Sequence, residues 1–163
     1  MIIRTAVDED WSRIYPFFAA IVAAGETYAF PEGLDEDSAR PLWMVPPPWH
    51  VAVAQDEADG TVLGSVKVGP NRPGRGAHVS NASFMVDPAA RGRGVGRALG
   101  RYALGWARSA GYRSMQFNAV VETNEAAVRL WRSLGFEVVG TVPEAFRHPR
   151  YGFVGLHVMY QRL

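Results

Sequence analysis

Apolar positions along this chain repeat with two periods, and the switches between them mark its elements. The stretch "IIRTAV" at 2–7 alternates and is β-branched, which predicts a strand. "DEDW" then supplies acidic N-cap candidates for an apolar helix from Trp11 to Ala24. From Gly25 to His50 the pattern breaks into "GETYAFPEG", a short helix at "DEDSARPLW", and "VPPPWH", whose three prolines rule out regular pairing. Period-2 runs return at "HVAVAQ" (50–55) and "TVLGSVKVG" (61–69), joined by the hairpin loop "DEADG". "NRPGRG" turns the chain again into a strand at "AHVSNASFMV" (77–86). A helix from about Gly94 to Ala110 follows, with Val95, Ala98, Leu99, Tyr102, Ala103 and Trp106 on one face. The tail repeats the cycle: strand "SMQFNAVV" (114–121), helix 125–134, and two strands, "FEVVGTV" and "GLHVMYQRL". Strands gather in the middle and helices flank them, so the expected class is α/β or α+β with a single sheet.

Composition narrows the choice of function. The chain has 163 residues, 48% of them hydrophobic, which suits one domain over 1–163 with a buried core. A formal net charge of +1 disfavours a protein built to coat nucleic acid or an anionic membrane. There is no cysteine, hence no disulfide, thiolate metal site or cysteine nucleophile. The four histidines, at 50, 78, 148 and 157, lack ligand spacing, and no protein-bound metal is expected. The N-terminal segment turns acidic early, and nowhere do about 18 apolar residues run together. A soluble cytoplasmic protein is expected.

The stretch "RGRGVGRALG" at 91–100 holds the densest chemistry. It lies between a strand and the start of a helix, where the first N–H groups have no intrahelical partner and the macrodipole is positive. An anion is the expected guest. A Walker loop needs a lysine that this segment lacks. The dinucleotide fingerprint also fails, because its last glycine falls on Arg97 or Leu99 in the two registers that fit. A tight turn with merely solvated arginines is the plain alternative.

What remains is Arg91-x-x-Gly94-x-Gly96, which resembles the acyl-CoA signature of the GCN5-related N-acetyltransferase family. Downstream, "TNEAAVRLWRSLGFEVVG" resembles that family's second signature, with Asn124, Ala127, Gly135 and Phe136 in register. The order of elements is also similar over nearly the whole chain. The resemblance implies a mixed, mostly antiparallel central sheet of about seven strands flanked by helices, with acetyl-CoA as cosubstrate. It implies that the diphosphate rests on Arg91, Gly92, Arg93, Gly94, Val95, Gly96 and Arg97. The pantetheine arm would pair with the edge of "NASFMV", at Phe84, Met85 and Val86, where this strand splays from "QFNAVV". Relatives are frequently dimers, so a homodimer is compatible with it.

One departure stands out. Many members carry a tyrosine that protonates the leaving thiolate; here Trp131 occupies that position, and an indole N–H does not act as an acid near neutral pH. Asn124 is the candidate to face the sulfur, and an N-cap is its other reading. The segments around Asn81 and Trp131 also resemble fungal N-acetyltransferases acting on proline analogues such as azetidine-2-carboxylate. That likeness makes Asn81, with the backbone amides of Asn118 and Ala119, the candidate contacts of a small-molecule amine acceptor, leaning to an amino or imino acid. Asn81 and Asn118 serve equally as polar fillers of irregular backbone. An aliphatic ammonium must lose a proton before it attacks, and Glu26, Glu122, His78, His148 or water are candidate acceptors. "FRHPRYG", joining the last two strands, reads either as an acceptor wall or as a cationic loop. The aromatic and proline segment from "TYAFPEG" to "VPPPWH" reads as a wall closing the pocket from the other side, with core filling as the other reading of Trp43 and Trp49. An acyl-CoA sensor without turnover and an acetyltransferase for a protein N-terminus or a drug amine are the alternatives. A nucleic-acid surface on Arg93, Arg97, Arg101 and Arg108 lacks a groove-reading motif.

Overall fold

Strand pairing in the computed structural model, which describes residues 1–163, joins every strand into one sheet. The strands are β1 (Ile2–Thr5), β2 (His50–Gln55), β3 (Val62–Pro70), β4 (Val79–Val86), β5 (Ser114–Val121), β6 (Glu137–His148) and β7 (Gly152–Arg162). Their order is β1-β2-β3-β4-β5-β7-β6. All neighbours run antiparallel except β4 and β5, which are parallel. The helices are α1 (Trp11–Ala24), α2 (Glu36–Trp43), α3 (Val95–Ser109) and α4 (Glu125–Ser133). None is long and apolar enough to cross a membrane. The mixed, mostly antiparallel sheet flanked by helices is the architecture expected.

Alternation along the strands sorts side chains into two layers. Ala52, Ala54, Val66, Val68 and Ala82 meet Val95, Leu99 and Ala103 of α3 on one face. Val51, Val53, Val62 and Met85 meet Ile14 and Phe18 of α1 and Trp43 of α2 on the other. The α3 face is wider than the predicted stripe: Gly100, Leu104 and Ala107 are buried too, whereas Tyr102 and Trp106 are half-buried at its margin. A Cβ on Gly100 would lie 2.6 Å from Leu134 Cδ1 and 3.1 Å from the Trp131 ring, so glycine is what lets α3 and α4 approach.

Two local expectations change. The carboxylate of Asp10 does not cap α1. It receives two hydrogen bonds from the Arg4 guanidinium, at 2.6 and 2.8 Å, and one from the Val7 N–H. These bonds hold the carboxyl below the usual aspartate range. The last two strands are also longer than their apolar runs. β6 is exposed along most of its length and so lacks a hydrophobic rhythm, yet pairing resumes after a bulge as far as His148 opposite Gly152. "FRHPRYG" is therefore mostly strand, with a short turn at 149–151.

Candidate active site

The parallel pair at the middle of the sheet is incomplete. β4 and β5 are in register only at Val79 with Ser114 and Ser80 with Met115, and beyond Ser80 the strands diverge. Val79 and Asp87 bond to the β3 side, and the His78 carbonyl accepts from Arg113 at the start of β5. Backbone direction alternates along a strand, so Ala82, Phe84 and Val86 turn their N–H and C=O groups into the gap. Opposite them, β5 bulges between Phe117 and Val120, which sets Asn118 and Ala119 in the irregular stretch. A cleft of about 1260 Å³ runs along this gap. It is bounded at one end by the start of α3 and at the other by the segment between α1 and α2.

At the α3 end the wall is main chain. Gly92 and Gly94 both have left-handed backbones, φ +78° and +77°, which glycine adopts without a Cβ penalty. The N–H groups of Gly92, Gly94, Val95, Gly96 and Arg97 have no protein acceptor. Arg91 and Arg97 line the cleft beside them. Arg93 does not: its guanidinium pairs with Asp56 at 2.6 Å, on the loop between β2 and β3. Arg101 also lies outside the lining.

Below the gap the floor is aromatic. The Phe84 ring is centred 4.6 Å from Trp131, and Phe117 packs 5.0 Å from Trp131. Trp131 is 7% exposed, a cleft-lining member of the α3-side core. Asn124, at the head of α4, accepts the Ala127 N–H on Oδ1 at 3.2 Å, leaving its NH2 without a protein partner in the cleft lining. Both readings of Asn124 are thus sterically open together.

The α1–α2 end is made of side chains. Asn81 lines it, paired with Gly69 through the sheet but with no hydrogen-bond partner for its side-chain amide. The Asn118 side chain is held in place: it donates to Asn71 Oδ1 at 2.7 Å and accepts from Gln116 at 2.8 Å, which leaves one N–H and its backbone for a ligand. Of the four proton-acceptor candidates, Glu26 and His148 line the cleft. Glu122 accepts from the Gly155 N–H and His78 bonds Arg75, both outside the lining. His148 Nδ1 accepts the Arg150 N–H at 3.1 Å, so the neutral ring carries its proton on Nε2 and acts as a donor. Trp43 is fully buried and donates to Ser65 Oγ, which makes it core.

Tyr28 is the residue that sequence reading missed. Its hydroxyl donates to the Phe84 carbonyl at 2.7 Å and accepts the Phe84 N–H at 2.9 Å, filling backbone groups with which the pantetheine arm was expected to pair. Desolvation pushes this phenol well above its ordinary pKa. It lies in the irregular segment where no periodicity marks single residues, and only an aromatic among small residues hinted at it.

Residues 6–136 match the model of the acetyltransferase (GNAT) family. The chain belongs to that family. Membership places this domain among acetyl-CoA-dependent N-acetyltransferases. A GCN5-related N-acetyltransferase from Kribbella flavida is 61% identical, with a TM-score of 0.96 over 99% of this chain and 97% of that one. The putative acetyltransferase yncA from Salmonella typhimurium, solved with acetyl-CoA, is 27% identical, with a TM-score of 0.83 over 100% of this chain and 94% of that one. The N-acetyltransferase aca1 of Schizosaccharomyces pombe is 37% identical over 97 residues, 60% of this chain and 46% of that protein. The chain thus spans about half the length of that curated relative.

Proposed function

We propose that this protein transfers the acetyl group of acetyl-CoA directly to the amine of a small molecule, leaning to an amino or imino acid. The observation that carries it is the run of unpartnered amides from Gly92 to Arg97 opening onto the gap between β4 and β5. Acetyl-CoA supplies an activated acetyl thioester. Five N–H groups with Arg91 and Arg97 suit its diphosphate, and charge-assisted bonds of this kind are the strong ones. The outward N–H and C=O groups of Ala82, Phe84 and Val86 suit the pantetheine arm as an added strand. Met85 turns its side chain into the α1 core, so its part in the cleft lining is through its backbone. Phe84 holds the acetyl carbonyl through its N–H, which requires the Tyr28 hydroxyl to give way.

Asn124 directs its NH2 at the sulfur, and Trp131 packs beneath it. A thiol of pKa about 8.5 leaves as thiolate with modest help, so a tyrosine acid is dispensable. Asn81 and the backbone of Asn118 and Ala119 hold the acceptor, and Glu26 or water takes its proton. Arg93 keeps no free donor aimed at the diphosphate, because its N–H goes to the Ala90 carbonyl and its guanidinium to Asp56. A homodimer is part of this reading, supported by exposed Val139, Val142 and Phe153 on the outer hairpin.

The test is incubation with acetyl-CoA and a panel of amines, including proline, azetidine-2-carboxylate, an N-terminal peptide and an aminoglycoside, following free thiol. Acceptor-dependent release is expected with the amino or imino acids. Release on the peptide alone moves the substrate to protein N-termini, and binding without release makes the protein a sensor.

A further inference from the structure

Lys67 is the single lysine of the chain, and no carboxylate answers it. Its ammonium donates to the Leu42 carbonyl at 2.7 Å and otherwise faces rings, 5.6 Å from Phe30, 5.5 Å from Trp43 and 5.8 Å from Trp49. Ring faces attract a cation but are poor acceptors for its N–H groups. An ammonium with three donors and one protein acceptor has two left to satisfy. Burial among these rings lowers its pKa, the signature of a charge short of compensation.

Its position is set by strand register. Lys67 stands opposite Ser83, and Gly69 opposite Asn81, so Lys67, Ser83 and Asn81 project to the same face, the one covered by α1 and α2. Lys67 and Asn81 both line the cleft, and the Asn81 side-chain amide has no protein partner. The two arginines in the lining, Arg91 and Arg97, belong to the glycine turn beyond the other end of β4. The acceptor end therefore combines one fixed cation with one free amide.

We propose that Lys67 is a specificity-determining residue which, with Asn81, clasps a carboxylate or similar oxyanion carried by the acceptor. The enzyme selects amines that bear an anion and discriminates against uncharged amines. This rests on the N-acetyltransferase reading and adds the residue that fixes its substrate class. A merely structural Lys67 would cap the last turn of α2 through Leu42 and leave acceptor charge unread.

The experiment compares matched acceptors, L-proline with L-prolinamide and azetidine-2-carboxylate with its amide, on the wild type, Lys67→Met and Lys67→Arg. Methionine keeps an apolar stem against the rings and removes the charge. The acid's kcat/KM is expected to fall about tenfold or more in Lys67→Met, through KM, while the amide's stays within about twofold. Lys67→Arg restores part of the loss. Equal falls for acid and amide, or a wild type that prefers the amide, overturn the proposal. A second measurement needs no turnover: biosynthetic labelling with ¹³C,¹⁵N-lysine gives one lysine side-chain signal, that of Lys67, and leaves its donors intact. In protein saturated with acetyl-CoA's product, coenzyme A, the Lys67 signal is expected to shift with L-proline or acetate and to stay still with prolinamide. A signal indifferent to both overturns the proposal. If no amine is acetylated while acetyl-CoA still binds, the enzymatic reading fails, and this titration separately decides whether Lys67 reads an anion.

Discussion

The α3 end of the cleft and the α1–α2 end solve recognition with different parts of the polypeptide. At the first, five unpartnered main-chain amides within six consecutive residues converge, and their geometry is a by-product of starting a helix after a left-handed glycine. At the second, Tyr28, Lys67, Asn81 and His148 arrive from four distant places in the chain. A backbone cradle tolerates change in the rest of the protein and serves one constant ligand. A side-chain wall is rebuilt by any substitution in any of its segments, so acceptor choice can vary while cofactor binding does not.

That contrast breaks most sharply at Gly94. A β-branched side chain is strained at φ +77°, so Gly94→Val should re-aim the amides and weaken acetyl-CoA about 100-fold, as loss of two charge-assisted bonds implies. Calorimetry measures this, and unchanged affinity would remove the cradle from the site. Next, Asn124→Ala should lower kcat about tenfold with little change in acceptor KM, whereas Asn81→Ala should raise acceptor KM and spare kcat. Equal small effects on both parameters would falsify the two roles. Loss of the Asn124 cap also costs about 1 kcal/mol of stability, so melting must be checked alongside.

A smaller effect is expected at the boundary between the two ends. Tyr28→Phe frees both backbone groups of Phe84, so acetyl-CoA should bind roughly three- to tenfold more tightly. Weaker binding would mean that the hydroxyl stays in place and assists the bound thioester. The least effect belongs to Arg93→Ala. Its ion pair with Asp56 lies at the surface and contributes little to stability, and acetyl-CoA affinity should change by less than about twofold. A large loss would show that the guanidinium leaves Asp56 for the diphosphate.

Legibility in the sequence follows the same division. Helices and inner strands were readable because burial on one face forces a period, as at Val95, Leu99 and Ala103. The outer hairpin was cut short because β6, exposed on both faces, has no such period. The role of Asp10 was misjudged for a related reason: its acidic side chain beside a helix start looks like a cap, but its partner Arg4 lies on another element.

Composition and short-range order alone determined the sheet-and-helix class, the glycine turn and its place at the head of α3, because backbone conformation is decided by neighbours a few residues apart. Only the tertiary structure decided that Arg93 turns away, that Asn118 is tethered to Asn71, and that Tyr28 and Lys67 enter the cleft. Those outcomes depend on which distant side chains the sheet register brings within hydrogen-bond reach, and no local pattern encodes that distance.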